Sequence, residues 1–143
     1  MLPRRENPWE ERFLLVIIDI RRGLLDDAHD RFEQENKRLA KVENWKRATW
    51  HIRSEIEFEI AFAEERWGEA ILVCESLIES YRSGGYRWLL ARRLIDLGDA
   101  LVGRNEPSDL ERARETYQQS LDMFTEMGAP GYIKVLEERL GDL

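Results

Sequence analysis

At 143 residues, 43% of them hydrophobic and 36% charged, the chain has the make-up of one globular domain with a heavily hydrated surface. Twenty-nine Asp and Glu against 22 Lys and Arg leave a net charge of −7, which argues against direct nucleic-acid binding, because phosphate needs a concentrated positive surface. The single cysteine excludes an internal disulfide and fits a reducing compartment, and the longest apolar run, Phe13 to Ile18, falls far short of the ~20 residues that span a bilayer, so the expected setting is cytoplasmic and off the membrane.

Apolar residues recur at steps of three and four almost throughout, and strand-like alternation is absent, so the chain reads as all-α. Asn7-Pro8-Trp9-Glu10 offers an N-cap, a first-turn proline and a capping-box acid, opening a helix that Gly23 stops. A second helix runs from about Leu25 to Lys41. Asn44 can cap a third that continues to about Arg66. Gly68 opens a fourth, ended by Ser83-Gly84-Gly85. The fifth contains "RLIDLGDALVG" and stops near Gly103. Ser108-Asp109-Leu110-Glu111 reads as a second capping box, opening a sixth helix that ends at Met127-Gly128. A short seventh completes the chain after Ala129-Pro130-Gly131.

The even-numbered helices superpose at a fixed period. Ala28, Ala70 and Ala113 lie 42 and 43 residues apart. The same shifts align Leu25 with Trp67 and Leu110, Phe32 with Cys74 and Tyr117, and Leu39 with Tyr81 and Phe124. Each column set lies on one helical face. A small residue held between large ones is what two closely crossing helices need. Gly98 and Gly141, also 43 apart, each follow Leu and precede Asp. Mid-helix glycine costs about 1 kcal/mol against alanine. A close helix crossing would offset that cost through dispersion contacts.

These residues resemble tetratricopeptide repeats. Leu94-x2-Leu97-Gly98-x2-Leu101 is similar to the family's first half, with aliphatics in place of its aromatics. Ala113-x3-Tyr117 followed by Pro130 resembles its second half. Trp67-Gly68-Glu69-Ala70-x3-Cys74 and Leu25-Asp26-Asp27-Ala28-x3-Phe32 look like earlier copies. The period departs from the family's usual length of about 34. Ser54-Glu55 and Leu15-Val16 stand where Leu-Gly belongs. Long-period repeats of this kind are similar to arrays in bacterial signal-transduction ATPases, nucleotide cyclases and maltose-activator-type transcription regulators.

The resemblance implies one domain over 1–143, a right-handed α-α superhelix of three hairpins (about 8–42, 44–84 and 86–128) closed by a half repeat, 131–143. It implies packing roles for Ala28, Ala70, Gly98, Ala113 and Gly141. Odd-numbered helices would line a concave groove drawing on Phe13, Ile17 and Ile20, then Glu55, Glu59 and Phe62, then Arg92, Ile95 and Asp99. Such a groove suits a peptide or partner helix carrying apolar and basic residues. It could instead enclose a small metabolite beside Trp45, Trp50 and Trp88. The first helix is apolar on nearly every side from Phe13 to Ile20, whereas an array end needs a polar outer face. A homodimer through that helix, or an upstream repeat, would cover it.

No catalytic set stands out. Ser83-Gly84-Gly85 lacks the lysine of a phosphate loop and reads as a turn. His51, Glu55 and Glu59 share a helical face, which reads as an ion network with Arg47 and Arg53 rather than a metal site. Cys74 falls on the packed face. The expectation is a non-catalytic interaction scaffold without cofactor or metal.

Overall fold

The computed structural model describes residues 8–143 and folds them into helices, with no strand among the described residues. In chain order these are α1 (Pro8–Arg21), α2 (Leu25–Leu39), α3 (Trp45–Ala48), α4 (Trp50–Ala63), α5 (Trp67–Gly84), α6 (Arg87–Arg104), α7 (Asp109–Met127) and α8 (Pro130–Asp142). The cap expected at Asn7 lies outside the described residues.

The extra helix arises because the expected third helix breaks at Thr49. Its backbone leaves the helical region (φ −107°, ψ 7°), and its hydroxyl donates to the Trp45 carbonyl at 2.6 Å. Arg53 reaches back across the break, donating from Nε to the Thr49 hydroxyl and from Nη2 to the Lys46 carbonyl. Its guanidinium also lies over the Trp45 ring. A short polar side chain that bonds nearby backbone competes with helix propagation. Arg53 therefore holds this break together, a different role from the surface ion network expected of it.

Connections of two to five residues otherwise turn each helix onto the next. Consecutive long helices pack together from α4 to α8, while α1 packs on both α2 and α4. At four of the turns the chain solves its end problem identically. Gly23, Glu65, Gly85 and Gly128 take positive φ (57–76°), and the next residue's N–H bonds a carbonyl five positions back. Those bonds are Leu24 to Asp19, Arg66 to Ala61, Tyr86 to Tyr81 and Ala129 to Phe124, at 2.8 to 3.0 Å. The left-handed positions recur with the sequence period: Gly23, Glu65 and Ser108 lie 42 and 43 apart, and Gly85 and Gly128 lie 43 apart.

Ser108 does not form the expected capping box. It adopts φ 70° and makes no side-chain cap. Asp109 instead organises the loop before the helix, accepting the Glu106 N–H at 3.0 Å and two bonds from Arg104 at 2.8 and 2.9 Å. A bidentate guanidinium partner outcompetes a lone hydroxyl for the loop.

The core divides on α4. Ile56 and Ile60, with Ile52 beside them, face an N-terminal cluster containing Phe13, Val16, Ile20, Ala28 and Leu39. Phe58, Ala61 and Phe62 face a larger cluster running through α5, α6 and α7 to Leu136 of α8. Each fully buried Leu or Ile contributes about 1.5–3 kcal/mol, so α4 ties together two halves that bury their apolar faces separately. Ala28, Ala70 and Ala113 are all fully buried. Gly98 lies against the Tyr117 ring of α7, and Gly103, which α6 runs past rather than ending at, lies against the Trp67 ring of α5. Gly141 faces open space, so no neighbouring helix uses its missing side chain.

Candidate functional site: an aromatic and acidic cleft

A cleft of about 430 Å³ opens between α1, α4 and the α5–α6 turn. Its floor starts from Tyr81, in the last turn of α5, which shares a sequence column with the core residues Leu39 and Phe124. Leu39 and Phe124 are purely apolar, but Tyr81 carries a hydroxyl that needs a partner once buried. It donates to Glu55 Oε1 at 2.8 Å. Arg93 Nη2 lies 3.1 Å from the same oxygen, and Arg93 Nη1 bonds Asp96 Oδ2 at 2.8 Å. One carboxylate oxygen thus joins α4, α5 and α6.

Burial and the neighbouring Glu55 carboxylate push the Tyr81 phenol up to about 12, so it stays a donor. Burial works against the Arg93 charge, but Asp96 and Glu55 more than offset it and move its pKa up. Burial also pushes the Asp96 carboxyl up to about 6, against the pull of Arg93.

Aromatic rings form the walls. The His51 ring stacks on Tyr81, with centroids 5.5 Å apart and planes 17° apart, and His51 Nε2 lies 2.9 Å from Ser80 Oγ. Tyr86 stands edge-on to Tyr81 at 81° and is 57% exposed. It can lie there because residue 84 is glycine: a Cβ at 84 would come within 2.7 Å of two Tyr86 ring atoms. Trp9 and Leu14 of α1 face them, with Ile52 and Leu89 adding aliphatic surface. Glu10 brings a second carboxylate to the rim.

The expected groove residues divide. Glu55 lines the cleft, and Ile17 and Phe62 are half-buried against the two cores. Phe62 meets Trp67 edge-on at 5.0 Å. Phe13, Ile20 and Ile95 are core residues, and the surface they were expected to supply does not exist. On α1 the register is off by one: Phe13 points inward, and Leu14, 52% exposed, is the residue presented to the cleft. Glu59 and Arg92 stand close enough to Asp96 to bias its charge in opposite directions. Asp99 accepts the Tyr117 hydroxyl at 2.5 Å and Arg139 Nε at 2.9 Å, tying α6 to α7 and α8.

None of Trp45, Trp50 and Trp88 lines the cleft. Trp88, in the first turn of α6, turns away from the cleft and packs on Phe124 of α7 and Tyr132 of α8. The reading missed Tyr81, Tyr86, Arg93 and Asp96. Only Tyr81 carried a signal, as the one hydroxyl in an otherwise apolar column. Cys74 is buried, with Sγ 3.3 Å from the Arg93 carbonyl, and burial raises its pKa far beyond the usual thiol range.

Among the described residues no group of His, Cys, Asp and Glu is placed to hold a metal ion, and no helix is long and apolar enough to cross a membrane. No family model, curated protein or solved structure matches the chain.

Proposed function

We propose that this chain is a non-catalytic protein-interaction module of long-period tetratricopeptide type, a cytoplasmic part of a larger signalling or regulatory protein. Its cleft holds a peptide or partner helix. The observation that carries this reading is the cleft's construction: α1, α4 and α6, the first members of successive helical pairs, each present a side chain to one open concavity. Leu14 and Tyr86, both more than half exposed, are apolar anchors whose exposure a monomer does not need. Glu10 and Glu55 put carboxylates on the cleft, while Asp96 and Asp99 farther along α6 are already paired with Arg93 and Arg139, so the cleft itself favours a partner segment with basic residues.

Screening a panel of amphipathic peptides by NMR titration tests it. The expected result is shift changes at Leu14, Tyr86 and their neighbours, with a Leu14→Glu variant losing at least about tenfold in affinity at unchanged melting temperature. A panel in which no peptide perturbs the cleft refutes it.

The volume favours one second reading. About 430 Å³ lies within the roughly 300–1,000 Å³ of small-molecule pockets, so a small-metabolite sensor would use the same cleft. In that case metabolites shift the cleft resonances and peptides do not.

A further inference from the structure

We infer that the cleft takes the side chain of a lysine from the partner, its four-carbon stem against the aliphatic wall and its ammonium beside the Tyr86 ring and Glu55. This deepens the docking reading and rests on it.

Charge comes first. Glu10 and Glu55 line the cleft with two carboxylates, and the Arg93 guanidinium behind Glu55 is shared with Asp96, so its one positive charge does not cancel them. A second cation is therefore matched rather than repelled. The walls come next. Trp9, Tyr81 and Tyr86 are ring faces and edges around the same space, and rings of this kind attract a cation through their quadrupole. Tyr81 and Tyr86 stand nearly perpendicular, so together they form a corner. Leu14, Ile52 and Leu89 supply the apolar surface that an alkyl stem covers while its charged end stays among polar groups.

Glu55 distinguishes lysine from arginine. Tyr81 and Arg93 both occupy Oε1. Among the described residues nothing bonds Oε2 of Glu55, which leaves one acceptor. A guanidinium prefers two parallel bonds to a carboxylate, and Arg93 already blocks half of that arrangement. An ammonium is a compact charge that a single oxygen can hold. Gly84 acts as a positioning residue: with no Cβ there, the Tyr86 ring can stand over the turn and form its side of the corner.

The test uses the intact chain and two small amides at millimolar concentration, Nα-acetyl-lysine methylamide and its neutral counterpart Nα-acetyl-norleucine methylamide, with choline as a third probe. Tryptophan indole N–H resonances report the site. The expected result is a shift at Trp9, with the lysine amide binding about tenfold tighter than the norleucine amide, the scale of a partly desolvated cation–π contact. Binding should weaken as salt rises. Glu10→Gln and Tyr86→Leu alter exposed side chains, so both should stay folded; Tyr86→Leu should lose most of the lysine preference and Glu10→Gln a smaller, salt-sensitive part of it. Gly84→Ala should reduce it by displacing the ring without changing any charge.

Equal binding of the two amides overturns the lysine assignment, and so does a response at Trp88 instead of Trp9. Tighter binding of choline overturns it in favour of a small quaternary cation. A panel peptide that docks equally well with norleucine in place of lysine leaves the docking reading standing and removes this one. A panel that never engages the cleft removes both.

Discussion

Gly98 of α6 and Tyr117 of α7 occupy one space: a Cβ added at 98 would lie within 2.8 Å of three Tyr117 ring atoms. The ring cannot easily yield. Tyr117 is fully buried, its hydroxyl is held by Asp99 at 2.5 Å, and Asp99 is held in turn by Arg139. Gly98→Ala gains about 1 kcal/mol of helix propensity and incurs overpacking of about 1–3 kcal/mol. The expected outcome is net destabilisation, read as a lower midpoint in urea. Gly141 follows the same Leu-Gly-Asp pattern but faces open space. Gly141→Ala should therefore stabilise, by up to about 1 kcal/mol. Equal effects at the two positions would refute the packing argument.

Asp96 gives stability a distinctive pH dependence. Burial raises its carboxyl from 3.8 to about 6, so the folded state binds this proton more tightly than the unfolded state does. Its contribution is complete below about pH 4 and is lost as pH rises through about 6. Asp109 and Glu64 act in the opposite direction and lower down. Arg104 depresses the first and His29 the second, so their stabilisation is lost as pH falls through and below the ordinary carboxylate range. Between pH 7 and 5 the Asp96 effect stands apart from theirs. Asp96→Asn removes this titration, so its melting temperature relative to wild type should be higher at pH 7 than at pH 5, whatever the fixed cost of losing the Arg93 charge partner. A constant difference across that range would contradict it.

The lone thiol should be inert while the chain is folded. Cys74 is fully buried between α5 and α6, bonds the Arg93 carbonyl and has its pKa pushed up, first by burial. Thiolate is the reactive form, and burial suppresses both thiolate and access. A disulfide reagent at pH 8 should leave it unmodified until denaturant is added, at which point one equivalent reacts. Rapid labelling of the native chain would place the thiol elsewhere.

The helices were legible because their punctuation is local. Gly23, Gly85 and Gly128 sit at positive φ where a glycine stop was expected, whereas Pro130 and Gly131, expected in the turn, already belong to α8. The buried columns through Ala28, Ala70 and Ala113 were legible because spacing alone sets a face. The break at Thr49 was not, since it depends on an arginine four residues on and a tryptophan four residues back. The site was half legible for a related reason. Glu55 was named, but a one-residue uncertainty in register turns a helix by about 100°, enough to exchange Phe13 for Leu14. Tyr86 was out of reach altogether: its place in the cleft depends on an absent Cβ at Gly84 and on the geometry of a turn.

Leu15 and Ile18 raise the matter of what covers α1. They are exposed at one helical step from each other and lie beside Leu14, so the three make a continuous apolar stripe. The expected homodimer would bury this stripe rather than the Phe13–Ile20 face first assigned to it, because Phe13 and Ile20 are already inside the N-terminal core. Burying apolar surface returns about 25 cal/mol per Å² before the cost of association, so a stripe of three residues supports at most a weak dimer. Sedimentation velocity at rising concentration should show the weight-average mass climbing above 17.0 kDa. Leu15→Lys with Ile18→Glu should hold it at the monomer value with the melting temperature unchanged, since neither side chain is in the core. Leu14 shared between stripe and cleft makes a further demand: a cleft ligand and the dimer should compete, so saturating the cleft should lower the apparent mass. A mass independent of concentration in the unsubstituted chain would leave the stripe to a partner other than a second copy.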